Sequence, residues 1–222
     1  MGPFLTMMLF SATVCEFFMF RRLLQLYAGL CLYGISIAMY IRAGLGADPW
    51  DVFHIGVANH TAASIGTVLI VTGALVLLLW IPLRQKPGLG TISNVIVLGL
   101  AADATLAVLP EAAIAAVQGL LLLAAVVLNG LATAMYIGAG FGPGPRDGLM
   151  TGLHARTGWS IRLIRTSIEV TVLAVGYVLG GPVGIGTLIY ALAIGPLIQF
   201  FLPWFTAPRS AGEKVLQEKT AG

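Results

Sequence analysis

Charge is what this sequence has least of. Asp, Glu, Lys and Arg make up 9% of its 222 residues, against about 25% in an ordinary soluble domain. Hydrophobic residues make up 58% and the mean hydropathy is +0.95, so the chain is built for lipid as its main solvent. Cysteine is scarce as well. Cys15 and Cys31 lie in or beside apolar runs and form neither a disulfide framework nor a metal-ligand spacing. His54, His60 and His154 share no ligand spacing and read as interfacial residues, so no metal is expected. There is no nucleophile–base set, phosphate-cradling loop or dinucleotide fingerprint. An enzyme, a bound cofactor and nucleotide-driven transport are therefore not expected. The basic residues gather at the ends of apolar runs, which marks membrane topology and not a nucleic-acid surface.

What is abundant is apolar sequence of spanning length, interrupted by glycine. Residues 1–18 are apolar apart from Glu16, and Arg21 and Arg22 follow them. A signal peptide has the opposite order. Met19-Phe-Arg-Arg reads as a start of its own, which makes 1–18 an extension. Spanning helices, each about the twenty residues that a ~30 Å hydrocarbon layer needs, are expected at Leu23–Ala43, Ser64–Pro82, Gly90–Leu109, Ile114–Ile137, Ile161–Leu179 and Thr187–Phe205. Asp48 reads as an N-cap with Pro49 at the first helical position, opening a short amphipathic helix to about Asn59. A matching short helix is expected after Pro145, to about Arg156. The tail, 207–222, is polar.

The chain repeats itself. Met39-Tyr-Ile-Arg-Ala-Gly-Leu-Gly-Ala-Asp-Pro-Trp-Asp51 returns 96 residues later as Met135-Tyr-Ile-Gly-Ala-Gly-Phe-Gly-Pro-Gly-Pro-Arg-Asp147. Laying 34–99 on 130–195 without gaps gives 21 identities in 66 positions. Apolar bias inflates such matches, but it does not place glycine, proline and aspartate in register. The expected units are 19–113 and 114–206. Three spans in each make the second unit enter the membrane from the opposite side. With the start of the first span inside, eleven Lys and Arg fall in cytoplasmic segments and only Arg42 falls outside. The positive-inside rule favours that orientation, with the tail also inside. The fold expected is an all-α polytopic membrane protein: six transmembrane helices in a 3+3 inverted repeat, with short broken or interfacial helices after spans 1 and 4.

Irregular backbone at membrane depth persists only inside protein or beside a wet cavity. Matching breaks in inverted repeats are the pattern that points to a transporter's solute site. The breaks at Gly44, Gly46 and Pro49 and at Gly140, Gly142, Pro143 and Pro145 are thus candidate site backbone, or else plain surface turns. The side-chain candidates are Asp48, Asp51, Arg146, Asp147 and Glu169. Asp51 and Asp147 fit two roles: first-turn carboxylates favoured by the helix dipole, or a symmetric pair that binds solute or cation. Arg146 either pairs with Asp147, Glu169 or an anionic solute, or is a flanking topology charge. Glu169 stands where the first copy has Gly73, and a carboxyl within a span suggests function or pairing. Arg162 and Arg165 lie on its helix face. Asp103 has a similar claim nearer the outer end of its span.

Gly44-Leu-Gly-Ala-Asp-Pro-Trp-Asp-Val-Phe-His54, Gly140-Phe-Gly-Pro-Gly-Pro-Arg-Asp-Gly-Leu149 and Thr157-Gly-Trp-Ser-Ile-Arg162 resemble the YczE/YyaS/YitT group of bacterial integral membrane proteins. The resemblance covers roughly 20–206 and implies a bacterial inner-membrane location without supplying a substrate. Two functions stand on these observations. One is a small-solute transporter or permease with its site between the units. The other is a non-transporting accessory or assembly factor. The expected partners are the bilayer, a small molecule or ion, and a second copy or another membrane protein.

Overall fold

The computed structural model describes residues 2–206, with side chains described for residue 16 and from residue 18 on. The expected tail, 207–222, lies outside the described residues, as do most side chains of 1–18. Eight helices follow one another: α1 Gly2–Ala43, α2 Pro49–Asn59, α3 Ile65–Leu83, α4 Leu89–Val108, α5 Ala115–Gly138, α6 Pro145–Thr157, α7 Ile161–Val178 and α8 Ile185–Phe205. The expected boundaries hold within two residues, except that α1 continues towards the N-terminus as one helix. Among the described residues five helical stretches are long and apolar enough to cross a membrane: 18–43 of α1, and α3, α4, α5 and α8. The fifth expected span, α7, carries Arg162, Arg165 and Glu169 within 18 residues and falls outside that set.

The helix starts follow from local chemistry. Ser64 and Ser160, 96 residues apart, each accept a backbone N–H at 3.2 Å and cap α3 and α7. Asp48 caps α2 by accepting from Asp51 N at 2.7 Å. Its register mate, Gly144, caps α6 with no side chain. Pro49 and Pro145 stand at the first helical positions, as expected.

α1 and α5 cross at the centre. Asn129 Nδ2 donates to Ser36 Oγ (2.9 Å), and Gln25 Nε2 donates to Met135 O (2.8 Å). α4 packs on the flank of α1 and α8 on the flank of α5. Each short helix then packs on the third helix of the other half: α2 on α7, and α6 on α3. Trp80 of α3 donates from Nε1 to Pro145 O (3.0 Å) at the start of α6. Asp103 resolves to a structural role, accepting from Ser64 Oγ (2.5 Å) and Gly66 N (2.7 Å) to tie α4 to the start of α3. Gly66 and Gly99 let these two helices touch backbone to backbone. The register mates are Arg162, Gly195 and Gln199, and α7 and α8 make little contact.

The two breaks share one geometry. Gly44 and Gly46 take φ +66° and +101°; Gly140 and Gly142 take +71° and +114°. Leu45 O accepts from Gly186 N (2.8 Å), and Phe141 O accepts from Gly90 N (2.9 Å). Each break is thereby pinned to the start of a helix in the other half. A Cβ on Gly46 would lie 2.6 Å from Gly184 N, in a backbone region closed to most L-residues. Gly46→Ala is therefore expected to cost about 2 kcal/mol or more and to lower the thermal unfolding midpoint in detergent. Gly119→Ala, with nothing within 4 Å, is the control expected to leave that midpoint unchanged or raise it.

Candidate functional site

The first break and α2 supply two buried acids. Asp48 and Asp51 are each 1% exposed, and both face an arginine from the other half. Arg146 Nη1 lies 3.6 Å from Asp48 Oδ2, and Nη2 lies 4.0 Å from Asp51 Oδ1. Its guanidinium lies over the ring of Trp50, 4.8 Å from the centroid, a cation–π contact that strengthens as water is excluded. The register explains this reach across. Asp48 matches Gly144, so the second half has an arginine at 146 with no acid at 144. The first half has the acid, with tryptophan at 50.

His54 is 2% exposed, because α2 is enclosed between α7 and α3. Its Nδ1 lies 3.4 Å from Asp51 Oδ1. These groups belong to the break and the short helices, outside the spans, and burial governs their protonation. It pushes Asp51 up to about 6 while the Arg146 charge pulls it down. Asp48 is raised by burial first and by Asp51 next, with Arg146 opposing. Burial and then Arg146 push His54 down to about 3. The imidazole is therefore neutral near pH 7, and the contact is a hydrogen bond donated by Nδ1–H.

A cavity of about 250 Å³ opens beside this cluster, with walls from both halves. It unites four of the five candidate side chains: Asp48, Arg146, Asp147 and Glu169. Asp51 is absent from the lining and sits behind it, touching Arg146. Glu169 accepts from Arg165 Nε at 2.8 Å, so Arg165 is the arginine that satisfies it. Asp147 does not pair with its neighbour Arg146; its Oδ2 accepts from Tyr136 Oη at 3.1 Å. Pro49, Gly144 and Pro145 bring the broken backbone to the same wall.

Several lining residues were not singled out from the sequence: Tyr33, Trp50, Asn94, Thr133 and Tyr136. For Tyr136 a signal existed, since Met-Tyr-Ile precedes both breaks. Tyr136 and Asp147 are the register mates of Tyr40 and Asp51. The second pair is hydrogen bonded. In the first, Tyr40 Oη and Asp51 Oδ2 are both buried without a hydrogen-bond partner, which costs roughly 1–3 kcal/mol per group. Equivalent residues thus stand in two different bonding states.

A model for a family of unknown function, DUF6198, matches residues 20–203. The chain belongs to that family. Among similar chains, an uncharacterized protein of Haemophilus influenzae is 38% identical over 173 residues, covering 78% of this chain and 79% of its own. The uncharacterized membrane protein YczE of Bacillus subtilis is 32% identical over 179 residues, covering 80% and 83%. YyaS of the same organism is 26% identical, covering 79% and 89%. The expected resemblance to YczE and YyaS is borne out. No solved structure matches the chain. Five apolar helices of spanning length and a relative named as a membrane protein make this DUF6198 member an integral membrane protein.

Removing the arginine leaves two buried acids unpaired. Arg146→Gln is expected to destabilise by about 3–5 kcal/mol, and adding Asp48→Asn should recover part of the lost unfolding midpoint. The pH dependence has two opposing parts. Asp51, raised in the fold, gains stability as pH falls through about 6. His54, lowered in the fold, loses stability as pH falls through its unfolded value near 6.5. Relative to the unmodified chain, His54→Gln should gain stability between pH 7 and 5 and Asp51→Asn should lose it. The limiting slopes are about 1.4 kcal/mol per pH unit, read from thermal midpoints across that range.

Proposed function

We propose that the chain is a small-solute transporter of the bacterial inner membrane. Its site would be the cavity between two three-span units arranged as an inverted repeat. The observation that carries this reading is the 250 Å³ cavity, with charged side chains in its wall, built jointly by both halves at their matched breaks. A helix break that only turned the chain would not need Asp48, Arg146 and Asp147 at one inner wall. In this reading α7 is the fifth of the six spans. Its Arg165 and Glu169 pair with each other and turn to the cavity, which lessens the cost of charge in a span. The start of the first span and the C-terminus are inside, following the basic residues.

The Tyr–Asp pairs supply a means of alternation. Forming Tyr40–Asp51 while releasing Tyr136–Asp147 would exchange the bonding states of the halves, and small differential energies suffice to shift such an equilibrium. The two breaks, each pinned on the opposite half, would move with it as inner and outer gates. The competing reading, an accessory factor acting through a partner protein, has no use for a charged cavity within its own fold.

Accessibility separates the two. In a background free of Cys15 and Cys31, single cysteines at Thr72 and Thr133 are to be treated with a membrane-impermeant thiol reagent in right-side-out and inside-out vesicles. A transporter gives labelling from both sides, with each side protecting against the other. Labelling from one side, or from neither, sinks the transport reading.

A further inference from the structure

The ion pairs around the cavity leave one carboxylate over. Glu169 takes Arg165, and Asp48 and Asp51 take Arg146. Asp147 accepts a hydrogen bond from Tyr136 and has no ion-pair partner within 4 Å among the described residues. Across the cavity and the layer directly behind it, four carboxyl groups face two guanidinium groups, and His54 is neutral. The wall is short of positive charge.

A second observation is independent of the acids. Asn94 and Thr133 are 8% and 7% exposed, and both line this cavity. Their side chains make no hydrogen bond to protein among the described residues, although buried amides and hydroxyls are normally paired. The cavity therefore presents unused neutral hydrogen-bonding groups together with one unpaired carboxylate. Its 250 Å³ equals about eight waters at ~30 Å³ each, near the lower end of small-molecule sites. That size suits a compact solute. Trp50, Tyr136 and aliphatic side chains complete the wall, so the solute carries an apolar body.

Resting on the transporter reading above, we propose that the solute is a compact organic monocation, its ammonium group seated on the Asp147 carboxylate. Asn94 Oδ1 and Thr133 Oγ1 accept further N–H bonds from it, and the faces of the aromatic side chains attract its charge. An anion is disfavoured because both arginines are already engaged. A hard metal ion wants a shell of six or more oxygens, and no group of three metal-holding side chains occurs among the described residues.

The test uses the purified full chain in detergent and three probes of nearly one shape: benzylammonium, benzyl alcohol and phenylacetate, followed by calorimetry. Benzylammonium should bind saturably and at least tenfold more tightly than benzyl alcohol, with phenylacetate giving no measurable binding. Asp147→Asn should weaken benzylammonium at least tenfold, and Asp147→Glu should restore it to within about threefold. If Asp147→Asn does not fold, as judged by its unfolding midpoint and gel filtration, Asn94→Ala and Thr133→Val take its place. Each of these should weaken the cation threefold or more. Phenylacetate binding as tightly as benzylammonium, no benzylammonium binding, or affinity unmoved by these variants overturns the proposal. Two-sided cysteine labelling without benzylammonium binding overturns the cation and leaves transport standing. Cation binding with one-sided labelling supports the cation and removes transport.

Discussion

A chain that breaks its helices inside an apolar fold must find partners for the freed backbone groups there, because lipid offers none. Here each half finds them in the other. Leu45 O takes an N–H from the start of α8, and Phe141 O takes one from the start of α4. That exchange fixes where the breaks lie, and the breaks fix where α2 and α6 begin. Their first turns then bring Asp48, Asp51, Arg146 and Asp147 to a single wall. Pairing Arg146 with acids of the opposite half adds electrostatic cohesion where hydrophobic burial contributes little between lipid-soluble helices. The buried pair need not be strongly stabilising. Its worth lies in the cost of losing either partner.

The same arrangement leaves the halves unequal. α3 and α4 are drawn together by Gly66, Gly99 and the Asp103 clasp, while α7 and α8 stand apart where Arg162, Gly195 and Gln199 occupy the matching places. The cavity borders that looser side, with Arg165 and Glu169 of α7 and Tyr190, Ile194 and Ile198 of α8 on its wall. A fold with equivalent halves in equivalent states would have no reason to bond Tyr136 to Asp147 and leave Tyr40 and Asp51 unbonded to each other.

Much of this was legible in the sequence because glycine, proline and capping residues act locally. The left-handed glycines, Pro49, Pro145, Ser64 and Ser160 announce the breaks and helix starts whatever packs around them. The repeat also identified the acids and the arginine. Pairing was less legible, since it depends on which helix lies opposite. Arg146 pairs with neither Asp147 nor Glu169 but with acids nearly a hundred positions away. Nothing in the sequence around His54 showed its burial, which comes from the packing of α7 and α3 around α2. Asn94 and Thr133 gave no signal, being isolated polar residues in apolar helices.

One consequence follows from both halves lying on a single chain. Two identical subunits around a cavity on their two-fold axis would contribute every side chain in duplicate, so it would hold an even number of arginines from position 146. Two such guanidinium groups in so small a space would repel one another. Joining the halves lets position 50 remain tryptophan while position 146 becomes arginine, so one charge from that position meets one aromatic face. The linkage gives the cavity an odd count, and with it a polarity that a symmetric assembly cannot have.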